Sequence, residues 1–326
     1  MRITVRIHAI LFPMCILSLI YKYHMSTAPH IIEITAPKFS ILGPYNTSRI
    51  VVVDNYTQLI DIQNFTFKMN PQPCKDYTAD LLLVIIISSS LSNQENRMVI
   101  RNTWGQNTDS TKVVFLIGET ENVTLAQNIT NESFLYKDIV QGNFVDSYRN
   151  MTYKHVMGLK WVVHHCPTAK YILKTDDDIL VNTRAMTRFL TRELSPWGVK
   201  DLIACQLCLI TKVHRTKSKW IVTFEEYPFS FYPPFCEGWA VLYSQDVVPR
   251  LLKAAQTLPF FWVDDVHITG IIAAQIGVQR TPWSSLVMDE VELTKKWFRP
   301  YSAKSLFFGH DLTLEEMMEI WNANSA

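Results

Sequence analysis

Three consecutive aspartates, Asp176, Asp177 and Asp178, stand in YILKTDDDILVN (171–182), between an apolar run and a return to apolar residues. Adjacent carboxylates repel, so grouping them costs free energy unless a cation or a solvated loop compensates. In extended backbone Asp176 and Asp178 point to one side and Asp177 to the other. Oxygen ligands of this kind suit hard divalent ions, and a site with few protein ligands leaves positions that a diphosphate can fill. The alternative is a solvated acidic turn or a helix N-cap, where Asp is common. A calcium loop of the EF-hand type is excluded, because its glycine and its terminal glutamate are absent at the required offsets. A second acidic pair, Asp264 and Asp265, lies in LPFFWVDDVHITG (258–270). Desolvation by aromatic walls would raise the proton affinity of a carboxylate there and suit it to general-base work. Capping is again the alternative.

The elements that carry these acids are readable. ADLLLVIIISSS is a continuous apolar run with a polar stop, the pattern of a strand buried on both faces. NQENRMVIRNTW has helical spacing; KVVFLIG, YKDIV and AKYILKT read as strands; NVTLAQNITNESF, DSYRNMTYKHVMGLKWVVHHC and NTRAMTRFLTREL read as helices. Strand–helix alternation with buried strands implies a mainly parallel sheet covered on both sides. Sites in such sheets lie beyond the carboxyl ends of the strands, where the three aspartates fall. Neither a G-x-G-x-x-G nor a P-loop motif is present, which removes the main support for dinucleotide-binding and P-loop readings.

The 326 residues are 48% hydrophobic and 19% charged, enough for a substantial core. The net charge of +1 makes no electrostatic case for nucleic acid. The N-terminus carries Arg2 and Arg6, then an apolar stretch from Ile7 to Tyr21, then Lys22 and His24. At roughly 15 residues the stretch is short for a spanning helix, and it reads as a membrane anchor or as a cleaved signal peptide. Either puts the remainder on the luminal or extracellular side. Seven N-x-S/T sequons, at Asn46, Asn55, Asn64, Asn122, Asn128, Asn131 and Asn150, agree with that side. Of six cysteines, Cys15 lies in the apolar stretch; the other five cannot all pair within one chain. Cys205 and Cys208 form a C-x-x-C without a second ligand pair at zinc-ribbon spacing, so a disulfide or free thiols are expected.

Six blocks occur in order: NRMVIRNTWG (96–105), VVFLIG (113–118), ESFLYKDIVQGNFVDSYRNMTYK (132–154), YILKTDDDILVN, YPPFCEG (232–238) and VDDVHITG (263–270). Together they resemble the family 31 glycosyltransferases, the β-1,3-galactosyltransferase and β-1,3-N-acetylglucosaminyltransferase group, over roughly residues 78 to 322. The resemblance implies an α/β fold of the GT-A type, a single Rossmann-like domain with a mainly parallel sheet over 77–326. A cytoplasmic tail (1–6), a transmembrane signal anchor (7–23) and a luminal stem (24–76) precede it. It also implies a UDP-sugar donor, a manganese-type ion, a glycan acceptor on glycoprotein or glycolipid, and a type II enzyme of the Golgi membrane.

The resemblance carries over residue by residue. KTDDD matches the family's D-x-D block, which implies metal contact by Asp178 and Asp176 and donor contact by Asp176 and Asp177. VDDV matches the usual E-D-V, which makes Asp265 the catalytic base and leaves Asp264 as a shorter stand-in for Glu. FFGHDLTLEEMMEIWN (307–322) resembles the closing segment, with His310 as a further metal ligand. Thr313 and Glu316 fit a capping box, so a helix should start near Thr313. Arg97 and Arg101, four apart on one helix face, either contact donor phosphate or hold acidic loops. Lys154 either reaches the donor or pairs with an aspartate. Asn150 is typical of its block, which speaks against use of its sequon. Trp239 departs from the family pattern and either stacks on a sugar or fills core space. Cys166 and Cys236 lie in blocks that often carry cysteines, which implies a bridge between them. A galactosyltransferase, an N-acetylglucosaminyl- or N-acetylgalactosaminyltransferase, and a silent carbohydrate-binding protein of the same fold all remain open here.

Overall fold

The structure, a computed structural model, describes residues 38–44, 54–72, 74, 81–286, 308–310 and 312–323. Two short strands come first, β1 (Ser40–Ile41) and β2 (Phe67–Met69). The alternation follows: β3 (Leu83–Ser88), α1 (Gln94–Asn102), β4 (Thr111–Glu119), α2 (Val123–Tyr136), β5 (Ile139–Val145), α3 (Met151–His165) and β6 (Tyr171–Asp176). Beyond the aspartates lie β7 (Leu180–Val181), α4 (Thr183–Phe189), β8 (Val199–Lys200) and β9 (Ile203–Cys208). A small hairpin of β10 (Thr211–Lys212) and β11 (Phe231–Tyr232) leads into the long β12 (Phe235–Ser244) and α5 (Val247–Ala255). A π-helical segment, Val266–Ile272, runs into α6 (Ala273–Gln275), followed by β13 (Arg280–Pro282), β14 (Phe308–Gly309) and α7 (Leu314–Ala323).

The central sheet has eight strands in the order β13-β9-β12-β6-β3-β4-β5-β2. Its middle, β6-β3-β4-β5, is parallel throughout. Every residue of β3 is buried, because helices cover both faces, and its apolar run without alternation is the signature of that placement. α3 lies against β3 and β4 at Gly158, where an added Cβ would come within 2.5 Å of Leu116 Cδ1 and 2.9 Å of Ile86 Cδ1. The sequence pattern did not reveal that β12 inserts antiparallel between β6 and β9. Pairing of Ala240 with Thr175 sets Glu237, Gly238 and Trp239 beside the carboxyl end of β6.

The expected stem, 24–76, is corrected by the packing. Leu59, Ile60 and Phe65 are at most 1% exposed and belong to the same apolar core as Val156, Trp161 and Val248. β2 is the edge strand of the sheet, paired with β5. The fully buried Lys160 ammonium is neutralised by Asp54 and also donates to the Asn55 carbonyl at 2.8 Å. Trp161 Nε1 donates to Asn70 Oδ1 at 3.0 Å. Cys74 bonds to Cys166. The segment reads as stem because the side chains it buries are irregularly spaced. Its described residues 54–72 and 74 are nonetheless part of the folded unit.

The expected Cys166–Cys236 bridge is also corrected. The second disulfide is Cys205–Cys236, and Cys208 is free. Cys166 precedes β6, at the amino end of the parallel strands, whereas Cys236 opens β12, which runs the other way and begins at their carboxyl end. The two cysteines therefore sit at opposite ends of the sheet. No described helix is long and apolar enough to cross a membrane, and the tail and anchor expected at 1–6 and 7–23 lie outside the described residues.

Candidate active site

The carboxyl ends of β3 and β6 open into a cleft of about 830 Å³. Asp176, Asp177, Asp178, Lys154, Asp264, Asp265 and His310 all line it. Three elements bring them together. β6 delivers the aspartate turn. The start of the π-helical segment delivers Asp264 and Asp265. β14 pairs antiparallel with β7, Gly309 opposite Leu180, which sets His310 next to that turn. The capping box then starts α7: Thr313 N donates to Glu316 Oε2 at 2.7 Å and Glu316 N to Thr313 Oγ1 at 3.2 Å.

The three aspartates have separate surroundings, as their alternation implies. Asp177 is turned inward, where Ser89 Oγ donates to it at 2.6 Å and Asn93 Nδ2 at 3.2 Å. Asp176 accepts from Lys174 Nζ at 2.7 Å. Asp178 is exposed at the cleft. Lys174 is 1% exposed, donates also to the Gly238 carbonyl at 2.6 Å, and lies 3.9 Å from Asp264 Oδ2. It thus bridges the two acidic groups. Sequence reading passed over Lys174, since one polar residue in a strand carries no signal of its own.

Asp264 and Asp265 are adjacent but differ. Asp264 Oδ2 accepts from His155 Nδ1 at 2.9 Å, and His155 Nε2 meets the Tyr243 hydroxyl at 3.1 Å. Burial holds His155 below its ordinary value despite the carboxylate, and it raises Tyr243 well above its own. The arrangement is therefore a phenol O–H donating to a neutral imidazole whose Nδ1–H donates to Asp264. Burial opposes ionisation of Asp264, but Lys174 and His155 outweigh it and bring its pKa down to about 2. Asp265 lacks such partners: burial and the charge of Asp264 push it up to about 7. Its Oδ1 accepts from Val266 N at 2.7 Å, and it rests against Gly238, where an added Cβ would stand 3.3 Å from Asp265 Cβ. His155 was also passed over, because it sits in a helix buried nearly all round, where one histidine makes no pattern.

Arg97 and Arg101 do not line the cleft, which corrects their reading as donor contacts. Arg97 is fully buried, forks onto Glu132 at 2.8 and 2.7 Å, and donates to Ser89 Oγ at 2.9 Å and to the Ser90 carbonyl at 2.6 Å. It therefore holds the loop that holds Asp177. Arg101 bonds to both Asp138 oxygens at 2.8 Å and to Glu132 at 2.8 Å. Burial raises the pKa of Glu132, but the two guanidiniums more than offset it and the net shift is downward. Removing one member leaves a buried charge unpaired, so Arg97→Ala should cost about 3–5 kcal/mol in urea unfolding. Arg97→Lys should recover little, because the fork is lost. A loss under about 1 kcal/mol for Arg97→Ala would contradict this assignment.

Lys154 lines the cleft with its ammonium bonded to the Ser89 carbonyl at 2.6 Å and to Asp146 at 3.1 Å. Asn150 donates to the Val145 carbonyl at 2.8 Å and is half-buried. Trp239 is half-buried, packs edge-on against Phe308 with centroids 5.6 Å apart, and lies 5.3 Å from the His310 ring. Its Nε1 donates to Glu237 Oε2 at 2.8 Å. It therefore braces the His310 segment while facing the cleft.

Comparison with known proteins places this architecture. The Galactosyltransferase family model matches residues 95–284, more than half of the chain. Beta-1,3-galactosyltransferase 1 of Mus musculus is 30% identical over 323 residues, covering 90% of this chain and 91% of that protein. The Homo sapiens protein of the same name matches to the same extent. The chain belongs to the galactosyltransferase family, glycosyltransferase family 31. Beta-1,3-galactosyltransferase 5 of Mus musculus is 32% identical over 211 residues, 60% of this family member and 64% of that protein. Among solved structures, a 4-diphosphocytidyl-2C-methyl-D-erythritol synthase from Anaerococcus prevotii covers 64% of the chain and 90% of its own at 8% identity. Its TM-score is 0.36, which carries no argument.

For a member of this family the charge of the cleft is informative. Seven carboxylates and three lysines line it, an excess that would repel a diphosphate. Among the described residues, no three His, Cys, Asp or Glu side chains form a preassembled metal cage. The donor chemistry nonetheless fits a hard divalent ion: exposed Asp178, adjacent Asp176 and an imidazole at His310, with the acidic excess left to be neutralised.

Proposed function

We propose that the protein is an inverting hexosyltransferase that moves galactose from UDP-galactose to the 3-OH of an acceptor sugar on glycoprotein or glycolipid, forming a β-1,3 linkage. One arrangement carries the reading: the half-buried Asp265 carboxylate stands in the same cleft as the aspartate turn, where burial and the charge of Asp264 raise its proton affinity. A general base works best with a pKa near the operating pH. Relatives named beta-1,3-galactosyltransferase support the choice of sugar and linkage.

In this reading Asp265 takes the acceptor hydroxyl's proton as that oxygen bonds to the anomeric carbon. The bond from that carbon to the diphosphate oxygen breaks, and its electron pair leaves with UDP. Attack opposite the leaving group turns an α-linked donor into a β-linked product. Asp178, Asp176 and His310 would hold a manganese ion, whose chemistry is to offset charge on the diphosphate. Asp177, tied to Ser89 and Asn93, fixes the turn, and Lys154 borders the donor. The same reading makes the enzyme a single-pass type II protein of the Golgi membrane with a luminal catalytic domain. Two disulfides are in keeping with an oxidising lumen.

The test is incubation of the folded domain with manganese and UDP-galactose, UDP-N-acetylglucosamine or UDP-N-acetylgalactosamine, with sugar glycosides as acceptors. Transfer from UDP-galactose alone is expected. Transfer from another donor alone would replace the sugar, and no turnover with any donor would overturn the enzymatic reading. Asp178→Ala should weaken manganese-dependent UDP binding by at least about 100-fold, since even outer partners of metal sites cost 10–100-fold. Calorimetry giving wild-type affinity would refute its role.

A further inference from the structure

The mechanism leaves one wall of the cleft unused. Tyr148 and Trp220 line the cleft and stay 51% and 44% exposed. Neither belongs to an apolar core cluster. They are nonetheless fixed: Trp220 Nε1 donates to the Tyr148 hydroxyl at 2.7 Å. Lys219 Nζ sits 4.5 Å from the Trp220 ring centroid and 5.9 Å from that of Tyr148. Behind them Trp262 lies 6.2 Å from Tyr148, backed by Arg149 at 4.4 Å.

We propose that Tyr148 and Trp220 form a stacking subsite for a second sugar of the acceptor, next to the sugar whose hydroxyl reacts at Asp265. This rests on the transferase reading above. A pyranose has an apolar C–H face and a rim of hydroxyls, so it pairs with a surface that is aromatic in the middle and polar at the edge. Tyr and Trp supply such surface at low entropic cost, and here a hydrogen bond and a cation lock the two rings in advance. Lys219 places a cation over the two rings, and the Trp262 N–H and Tyr232 hydroxyl of two further cleft-lining residues are buried without a hydrogen-bond partner. The subsite borders the reacting end, since Tyr148 lies 6.2 Å from Trp262, which precedes Asp265 by three residues and lines the same cleft.

The wild-type protein should therefore prefer a disaccharide acceptor over the matching monosaccharide. The assay compares KM for β-glycosides of N-acetylglucosamine, galactose and N-acetylgalactosamine with disaccharides ending in the same sugars. Trp220→Ala should raise the disaccharide KM by about tenfold or more and move the monosaccharide KM much less, while Trp220→Phe keeps most of the preference. Equal effects on both acceptors, or none, would overturn the subsite. Calorimetric titration with N-acetyllactosamine and lactose, without donor, separates the two claims. Binding weakened by Trp220→Ala but no transfer from any UDP-sugar sinks the enzymatic reading and keeps the subsite. Transfer without dependence on acceptor length, or binding of neither disaccharide, sinks the subsite.

Discussion

Asp265→Asn is expected to lower kcat by roughly 10²–10⁴-fold, the usual worth of a positioned general base, while manganese-dependent UDP binding stays near wild type. The substitution keeps the size of the side chain, so the close approach to Gly238 is undisturbed. It removes only the ability to take a proton. The pH profile gives an independent check. A base acts as the carboxylate, and burial together with the charge of Asp264 pushes Asp265 up to about 7. The fraction in the working form is then nearly complete above that pH and falls about tenfold per unit below it. kcat/KM should therefore show an acid limb near neutrality, not near the ordinary aspartate value. Asp264→Asn deletes the neighbouring charge that opposes ionisation, so the limb should move to lower pH. Undiminished transfer by folded Asp265→Asn protein, or a limb left in place by Asp264→Asn, would remove Asp265 from the role.

How far the sequence carries can be judged from these residues. The triplet at the end of β6 is legible because three like charges after a buried strand require compensation, and alternation assigns each its side. The capping box is legible because both of its partners lie within four residues. Arg97 and Arg101 are legible as one face of a helix, but Glu132, which decides their role, lies on α2, and no local pattern couples the two helices. The same holds for His155 and Lys174, which act through Asp264 across more than eighty residues of chain. β12 is missed as an antiparallel insertion because strand order is set by long-range pairing. Tyr148 belongs to a visible block, but its partner Trp220 lies on the excursion between β10 and β11, which has no periodicity to read.

A chain beginning at residue 77 should fail to fold, although 77 is where the sequence pattern puts the start of the domain. Deleting the preceding residues removes Leu59, Ile60 and Phe65 from the main core. Burial of side chains of this size contributes about 1.5–3 kcal/mol each. The deletion also strips Asp54 from Lys160, whose ammonium is otherwise 0% exposed. Breaking a buried pair from one side costs about 3–5 kcal/mol. Cys166 loses Cys74, and loss of a native disulfide commonly costs a further 2–5 kcal/mol or so. Together these terms match or exceed the roughly 5–15 kcal/mol by which a whole domain is stable. A chain beginning at residue 38, which keeps β1, β2 and all of these contacts, should be secreted in soluble form and unfold cooperatively. Chains from 38 and from 77, expressed through the same secretory route, decide the matter by yield and thermal unfolding. Soluble protein from residue 77 with a Tm within a few degrees of the longer form would show that the 54–74 segment only decorates a domain complete without it. Intermediate behaviour can be traced by Asp54→Ala alone, which leaves the apolar contacts and the disulfide in place and isolates the cost of the unpaired Lys160.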